Sequence, residues 1–201
     1  VYVVDDDAAV RNSLRMLLKS LGIAAVAHGS AAEFLAGYDP EQPGCLVLDV
    51  RMPEMTGPEL QDELNRRGAI IPVIFVTGHG DVPMAVEAMH RGAVDFLQKP
   101  YSDKDLVDRI QRALAADRGN RALLGKKDQI RARIALLTPR ERQVLELVIL
   151  GKANKVIAGH LGVSQRTVEI HRAHVMEKTG ASSLAHLVRM GMAAGLGTST
   201  Y

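Results

Sequence analysis

Apolar positions in the first half of the chain alternate between two patterns. Val1-Tyr2-Val3-Val4 is a continuous apolar run that stops at Asp5-Asp6-Asp7. Short unbroken runs of this kind mark parallel strands covered on both faces. Val10, Leu14, Leu17, Leu18 and Leu21 then recur at spacings of three and four and are closed by Gly22, which predicts a helix. The alternation continues with a strand at 23–27, a short helix at 31–37 and a strand at 45–49. A helix at 58–67, opened by Gly57-Pro58, precedes a strand at 70–76. A helix at 82–91 and a strand at 93–97 follow, and Ser102 caps a helix through Leu114. Strands alternating with helices predict an α/β fold, a doubly wound five-stranded parallel sheet with helices on both faces.

The pattern changes after residue 116. Polar residues dominate from Asp117 to Arg133, although Leu123, Leu124, Ile130, Ile134 and Leu137 keep a loose helical spacing. Gly119 and Gly125 interrupt it, each unfavourable in a helix by about 1 kcal/mol. A partly helical linker over 117–136 and a solvated tether both fit. From 137 to 201 only helical patterns remain. "TPRERQVLELVILG" opens with Thr138 as N-cap, Pro139 at the first helical position and Glu141 three after the cap, a capping box. Val144, Leu147, Val148 and Ile149 give its apolar stripe, and Gly151 stops it. A second helix spans 154–161 and ends at Gly162; Val163 and Ser164 make a short turn into a third. Ser182 or Ser183 opens a fourth, with Leu184, Leu187, Val188 and Met192. Two helices around a short Gly-containing corner are the pattern of a helix-turn-helix, so a small all-α domain follows the sheet.

Charge supports the division. The net charge of +2 hides 11 basic against 17 acidic residues up to Ala116, and 14 against 6 from Asp117 onward. A basic helical half points to nucleic acid. The single cysteine, Cys45, lies inside a strand run and reads as a buried small hydrophobe; one thiol excludes an internal disulfide framework. No apolar stretch is long enough to span a bilayer, and no membrane partner is expected. The first strand begins at the first residue, so a few residues are expected to precede it. A cytoplasmic protein fits these features.

In an open parallel sheet, sites form at the carboxyl ends of the strands. That rule collects Asp5 and Asp6 after the first strand, Asp49 after the third, Thr77 after the fourth and Lys99 after the fifth. Clustered carboxylates call for a divalent cation, and Mg²⁺ with its hard oxygen ligands is the natural one. A carboxylate beside such a cation suits nucleophilic attack on a phosphoryl group, with Lys99 balancing charge and Thr77 bonding a phosphoryl oxygen. In the helical half, Val168, His171 and Val175 share one face of the third helix. Arg166, Glu169, Ile170 and Ala173 share the other. An outward Ile suits a thymine methyl, Arg166 a guanine, and Glu169 the N4 of cytosine. Arg172, His174 and Lys155 flank that face and suit phosphates. His171 is expected on the core side with a satisfied ring, and His160 and His186 show no metal pattern.

The stretches "VVDDD", "LVLDVRMPEMTG", "VTGHGD" and "GAVDFLQKP" resemble the receiver domain of bacterial two-component response regulators. "LTPRERQVLELV", "GKANKVIAGHLGVSQRTVEIHRAHVMEKTG" and "SLAHLVRMGM" resemble the LuxR-type output domain. The order of the two is similar to the FixJ/NarL group. The resemblance implies a flavodoxin-like receiver at 1–116 and a DNA-binding domain at 137–201. It implies Asp49 as phosphoacceptor, and Mg²⁺ held by Asp5, Asp6, Asp49 and the Arg51 backbone carbonyl, with Asp6 ligating directly. Thr77, Phe96 and Lys99 become the switch and phosphate-binding residues, and Lys99-Pro100 a cis bond. Lys155, Arg166, Thr167, Glu169, Ile170, Arg172, Ala173 and His174 become the DNA-binding set. The implied partners are a sensor histidine kinase, double-stranded promoter DNA, RNA polymerase and a second copy paired through the helix 82–91 and strand 93–97 face. Thr179 departs from the family, which usually has a large apolar residue there; looser packing is expected around it. Two rival readings remain: a Mg²⁺-dependent phosphatase or phosphotransferase using Asp49, and a DNA-binding protein whose first domain only dimerises. Val50 and Arg51 offer the first no general base, and the intact acidic cluster argues against the second.

Overall fold

The computed structural model describes residues 1–78 and 82–197, with the backbone alone at 82–84. His79, Gly80 and Asp81 of the "VTGHGD" stretch, and residues 198–201 of the second domain, lie outside the described residues. The chain divides into two compact units, Val1–Arg121 and Ala122–Tyr201.

The first unit runs β1 (Tyr2–Val4), α1 (Ala8–Ser20), β2 (Val26–His28), α2 (Ala31–Gly37), β3 (Leu46–Asp49), α3 (Gly57–Arg66), β4 (Val73–Thr77), α4 (Val82–His90), β5 (Asp95–Gln98) and the start of α5 (Asp103–Ala135). All neighbouring strands pair parallel, in the order β2-β1-β3-β4-β5. The unbroken apolar runs are explained by burial on both faces. Tyr2, Val4, Leu46, Leu48, Val73 and Phe75 pack with Phe34, Leu60, Leu64 and Ala88 from α2, α3 and α4. The alternate residues Val3, Val47, Ile74 and Val76 pack with Leu14, Leu18, Leu106 and Ile110 from α1 and α5. Fully burying each such side chain contributes about 1.5–3 kcal/mol, so the sheet is the rigid frame on which the strand-end residues stand.

Several boundaries move, each for a local reason. The second strand forms at Val26–His28 and not at 23–27, because Ile23 donates its N–H back to Leu18 O and so still closes α1. Leu21 sits at that helix cap and is exposed, not core. The fourth and fifth strands start later than expected, at Val73 and Asp95. The tether reading of the linker is overturned: α5 is one helix from Asp103 to Ala135, straight through Gly119 and Gly125. Its exposed stretch is flanked by an Asp117–Arg121 ion pair on one side and by Ile130 and Ile134, packed on the second core, on the other. These contacts outweigh about 2 kcal/mol of glycine cost.

The second unit adds α6 (Pro139–Ile149), α7 (Asn154–Leu161), α8 (Gln165–Thr179) and α9 (Leu184–Ala193). Val144, Leu145, Val148, Ile157, Val168, Val175, Leu187 and Met190 form its core. Leu145 is fully buried although the sequence stripe passed over it, while Leu147 and Ile149 are only half-buried. Gly162 turns the chain between α7 and α8 at φ 67°, a left-handed conformation that glycine adopts without a Cβ penalty. Ser164 caps α8 and Ser183 caps α9. Thr179 is the last residue of α8. It is fully buried, its hydroxyl donates to Val175 O at 2.7 Å, and its carbonyl accepts from Arg133 at 3.2 Å.

The capping box of α6 carries a pH prediction. Glu141 accepts from Lys178 Nζ at 2.7 Å and from the Thr138 N–H at 2.8 Å, and these bonds hold its carboxyl down at about 2. The folded state therefore releases this proton more readily than an unfolded chain with the ordinary 4.5. The stability it contributes is complete above that value and is lost as pH falls towards 2. Glu141→Gln keeps the capping geometry but removes the charge. Its melting temperature should fall less between pH 6 and pH 3 than that of the parent, and parallel profiles would refute the assignment.

Candidate functional site

The strand order reverses between β1 and β3, and the carboxyl ends of these two strands flank the crevice of a doubly wound sheet. Asp5 follows β1 and Asp49 ends β3; both are buried, at 4% and 8% exposure. Lys99 Nζ lies between them, donating to Asp5 Oδ2 at 3.0 Å and to Asp49 Oδ1 at 3.1 Å. The backbone fixes the remaining oxygens: the Arg51 N–H donates to Asp49 Oδ2 at 2.7 Å, and the Asp7 N–H to Asp5 Oδ1 at 2.9 Å. Asp6, next in the chain after Asp5, is exposed. Thr77 is 1% exposed at the end of β4, and its carbonyl accepts the Lys99 N–H at 2.8 Å, which ties the hydroxyl-bearing and lysine-bearing strand ends together. Phe96 pairs in register with Phe75 and is half-buried against the α2–α4 side of the sheet, not fully buried. The Lys99–Pro100 bond is cis.

The electrostatics follow from this geometry. Burial pushes the Asp49 carboxyl up, against the opposing pull of Lys99 and the Arg51 N–H. Burial alone would lower Lys99, but its bonds to the two carboxylates outweigh it and raise the ammonium. Two buried carboxylates on one ammonium, with the exposed Asp6 next in the chain, are hard oxygen donors that fit a small divalent cation such as Mg²⁺.

Sequence reasoning missed the role of Gly57. The sequence pattern places it just before a helix at 58–67, whereas it is the first residue of α3, and Thr56 is the cap in a full capping box with Glu59. A Cβ on Gly57 would stand 2.3 Å from the Asp49 carbonyl oxygen and 2.9 Å from Phe75 Cε1. Only glycine lets α3 begin directly under the Asp49 peptide. The Thr-x-x-Glu spacing at 56–59 was the available signal. Glu54, in the same loop, adopts φ 66°, the left-handed region that a non-glycine residue seldom occupies.

In the second unit the third-helix expectation resolves residue by residue. Val168 and Val175 are buried, and Arg166, Glu169, Ile170 and Ala173 are exposed on α8, Ile170 at 48%. Lys155 is exposed on α7. Thr167 is half-buried, with its hydroxyl 2.8 Å from Ser164 Oγ. Arg172 is half-buried and donates to Asn154 Oδ1 at 2.9 Å, which ties α8 to the start of α7. His174 is exposed, with Nδ1 3.5 Å from Glu141 Oε1. His171 lies on the inner side as expected, but its buried Nδ1 has no hydrogen-bond partner, so the expectation of a satisfied ring fails.

Known proteins match the same two parts. Residues 1–111 match the response regulator receiver domain, and residues 135–191 the luxR family of bacterial regulatory proteins. The transcriptional regulatory protein FixJ of Azorhizobium caulinodans is 52% identical over 200 residues, covering 98% of this chain and 93% of the relative. FixJ of Rhizobium meliloti is 49% identical over 199 residues, covering 99% and 98%. Among solved structures, response regulator StyR aligns with a TM-score of 0.84 at 46% identity, over 95% of this chain and 96% of that one. Full-length FixJ from B. japonicum aligns at 0.59 with 46% identity, over 96% of both chains. With a receiver-type carboxylate cluster at the sheet edge and a luxR-type helix-turn-helix behind it, this chain belongs to the two-component response regulators of the FixJ group and is a transcriptional response regulator.

Proposed function

We propose that a sensor histidine kinase phosphorylates Asp49 and that this event controls sequence-specific promoter binding through α8. The observation that carries the reading is the Lys99 ammonium bridging the Asp5 and Asp49 carboxylates at two strand ends. An Asp49 oxygen attacks phosphorus, the bond from phosphorus to the kinase histidine nitrogen breaks, and the freed imidazole leaves with the kinase. The Arg51 N–H orients the carboxylate, and Lys99 balances the incoming charge. Asp5, Asp6, Asp49 and the Arg51 carbonyl would hold Mg²⁺, which supplies charge neutralisation for the phosphoryl oxygens. Thr77 and Phe96 then rearrange as the switch. The roles of 1–116 as receiver, 117–136 as connector and 137–201 as DNA-binding part belong to the same proposal.

The homodimer is proposed through α4 and β5. Val86 and Met89 of α4 and Val94 just before β5 are 47%, 45% and 43% exposed, apolar surface that pairing would cover. Two output units then meet paired half-sites, with RNA polymerase as a further partner. The test is a mobility shift of the full chain on promoter fragments with Mg²⁺, with and without a small phosphodonor. Tighter specific binding with the donor supports the reading; identical binding sinks it.

DNA readout gives a separate expected result. Arg166, Glu169, Ile170 and Ala173 are proposed to read bases, Lys155 and Arg172 to serve phosphates, and Thr167 and His174 to complete the set. Ile170→Ala or Arg166→Ala should weaken binding to the preferred site by about 1–3 kcal/mol with little effect on random DNA. Lys155→Ala should weaken both alike and flatten the salt dependence, because phosphates carry no sequence. Binding isotherms at several salt concentrations separate the two classes. Identical behaviour of all three variants would mean that α8 does not read bases.

A further inference from the structure

We propose that Glu141, His171 and His174 form a Zn²⁺ site in the helix-turn-helix unit. A carboxylate oxygen of Glu141 and one ring nitrogen from each histidine lie within 4.8 Å of one another. His171 and His174 are three apart on α8, so the helix turns both rings to the same side, and Glu141 enters from the first turn of α6.

The unfinished bonding of Glu141 and His171 supports a cation. The Oε2 atom of Glu141 already accepts from the Thr138 N–H and from Lys178 Nζ, whereas Oε1 has only His174 Nδ1 at 3.5 Å. The carboxylate is therefore held by one oxygen and offers the other, as metal-ligating carboxylates commonly do. His171 keeps a buried Nδ1 with no partner. Imidazole and carboxylate together suit Zn²⁺, whose ligands at about 2.0–2.2 Å stand roughly 3.3 Å apart in a tetrahedron. The cluster needs a small contraction to reach that spacing, and the exposed His174 ring, at 53%, has room to supply it. Three protein ligands leave one position for water. The neighbouring Lys178 ammonium disfavours a second cation, so the site is exchangeable. Occupancy would tie the start of α6 to the helix that carries Ile170 and Arg166, coupling the reading helix to metal supply.

The site shares no residue with the carboxylates around Asp49, so its test can fail without touching phosphorylation. Metal-stripped full chain, with Mg²⁺ saturating and no phosphodonor, is titrated with Zn²⁺ against a chromophoric chelator. The parent should take up one tight equivalent and gain melting temperature. His174→Asn, at an exposed position, and His171→Asn should each weaken uptake about tenfold or more, and His174→Asn should lose the thermal gain while keeping the parent's circular dichroism. Unchanged Zn²⁺ affinity in His174→Asn overturns the proposal. So does loss of the tight equivalent in Asp49→Asn, which would place the metal in the first unit.

Discussion

Asp49→Asn should show no phosphoryl adduct under conditions where the parent takes up one. The amide keeps the size of the carboxylate and an oxygen to accept the Arg51 N–H, now at 2.7 Å, but amide oxygen is too poor a nucleophile to attack phosphorus. Folding should survive. Burial already disfavours the Asp49 charge, and Lys99 retains Asp5 as a partner at 3.0 Å. Intact-protein mass after treatment with a small phosphodonor and Mg²⁺ reads the result directly. The same variant should bind promoter DNA equally with and without the donor. An adduct that persists in the Asn variant moves the acceptor elsewhere and removes the central role given to Lys99.

Legibility in the sequence followed the range of the interactions involved. β1 and β3 were readable because burial on both faces leaves unbroken apolar runs, and the carboxylates that end those runs marked the sheet edge. The capping box at Thr138–Glu141 was readable because all its partners lie within one turn. Boundaries shifted where pairing register decides, as at β2, whose Val26 is placed by Tyr2 of β1. The constraint on Gly57 is hidden in the sequence because it comes from Asp49 and Phe75, residues of other strands. The helical phase of α8 puts His171 on the inner side, yet hydrogen-bond satisfaction of its ring depends on the groups that surround it in the fold, and its Nδ1 has no partner. Exposure of Ile170 was foreseen from helical phase alone, since the buried Val168 and Val175 fix which way α8 faces.

The least legible feature makes the largest stability prediction. Asp117 was counted with the polar residues of a linker, but it is fully buried. Its Oδ2 accepts the Gly44 N–H at 2.9 Å, 73 residues away, and both of its oxygens accept from Arg121 Nε at 3.0 and 2.9 Å. Arg121 Nη1 continues to the carbonyls of Pro40 and Glu41 at 2.8 and 3.1 Å. The pair thus fastens α5 to the loop before β3, the strand that carries Asp49. Asp117→Ala removes the carboxylate partner of an Arg121 side chain only 18% exposed and of a buried N–H, and breaking such a pair from one side should cost about 3–5 kcal/mol. Arg121→Ala should cost a similar amount by stranding the carboxylate. Replacing both together, Asp117→Leu with Arg121→Met, should recover much of the loss, because neither charge is then left unpaired. Urea denaturation of the four proteins measures the three changes in stability. A single-variant loss below about 1 kcal/mol would place the pair among solvent-screened surface bridges and would leave the helix through Gly119 without its anchor.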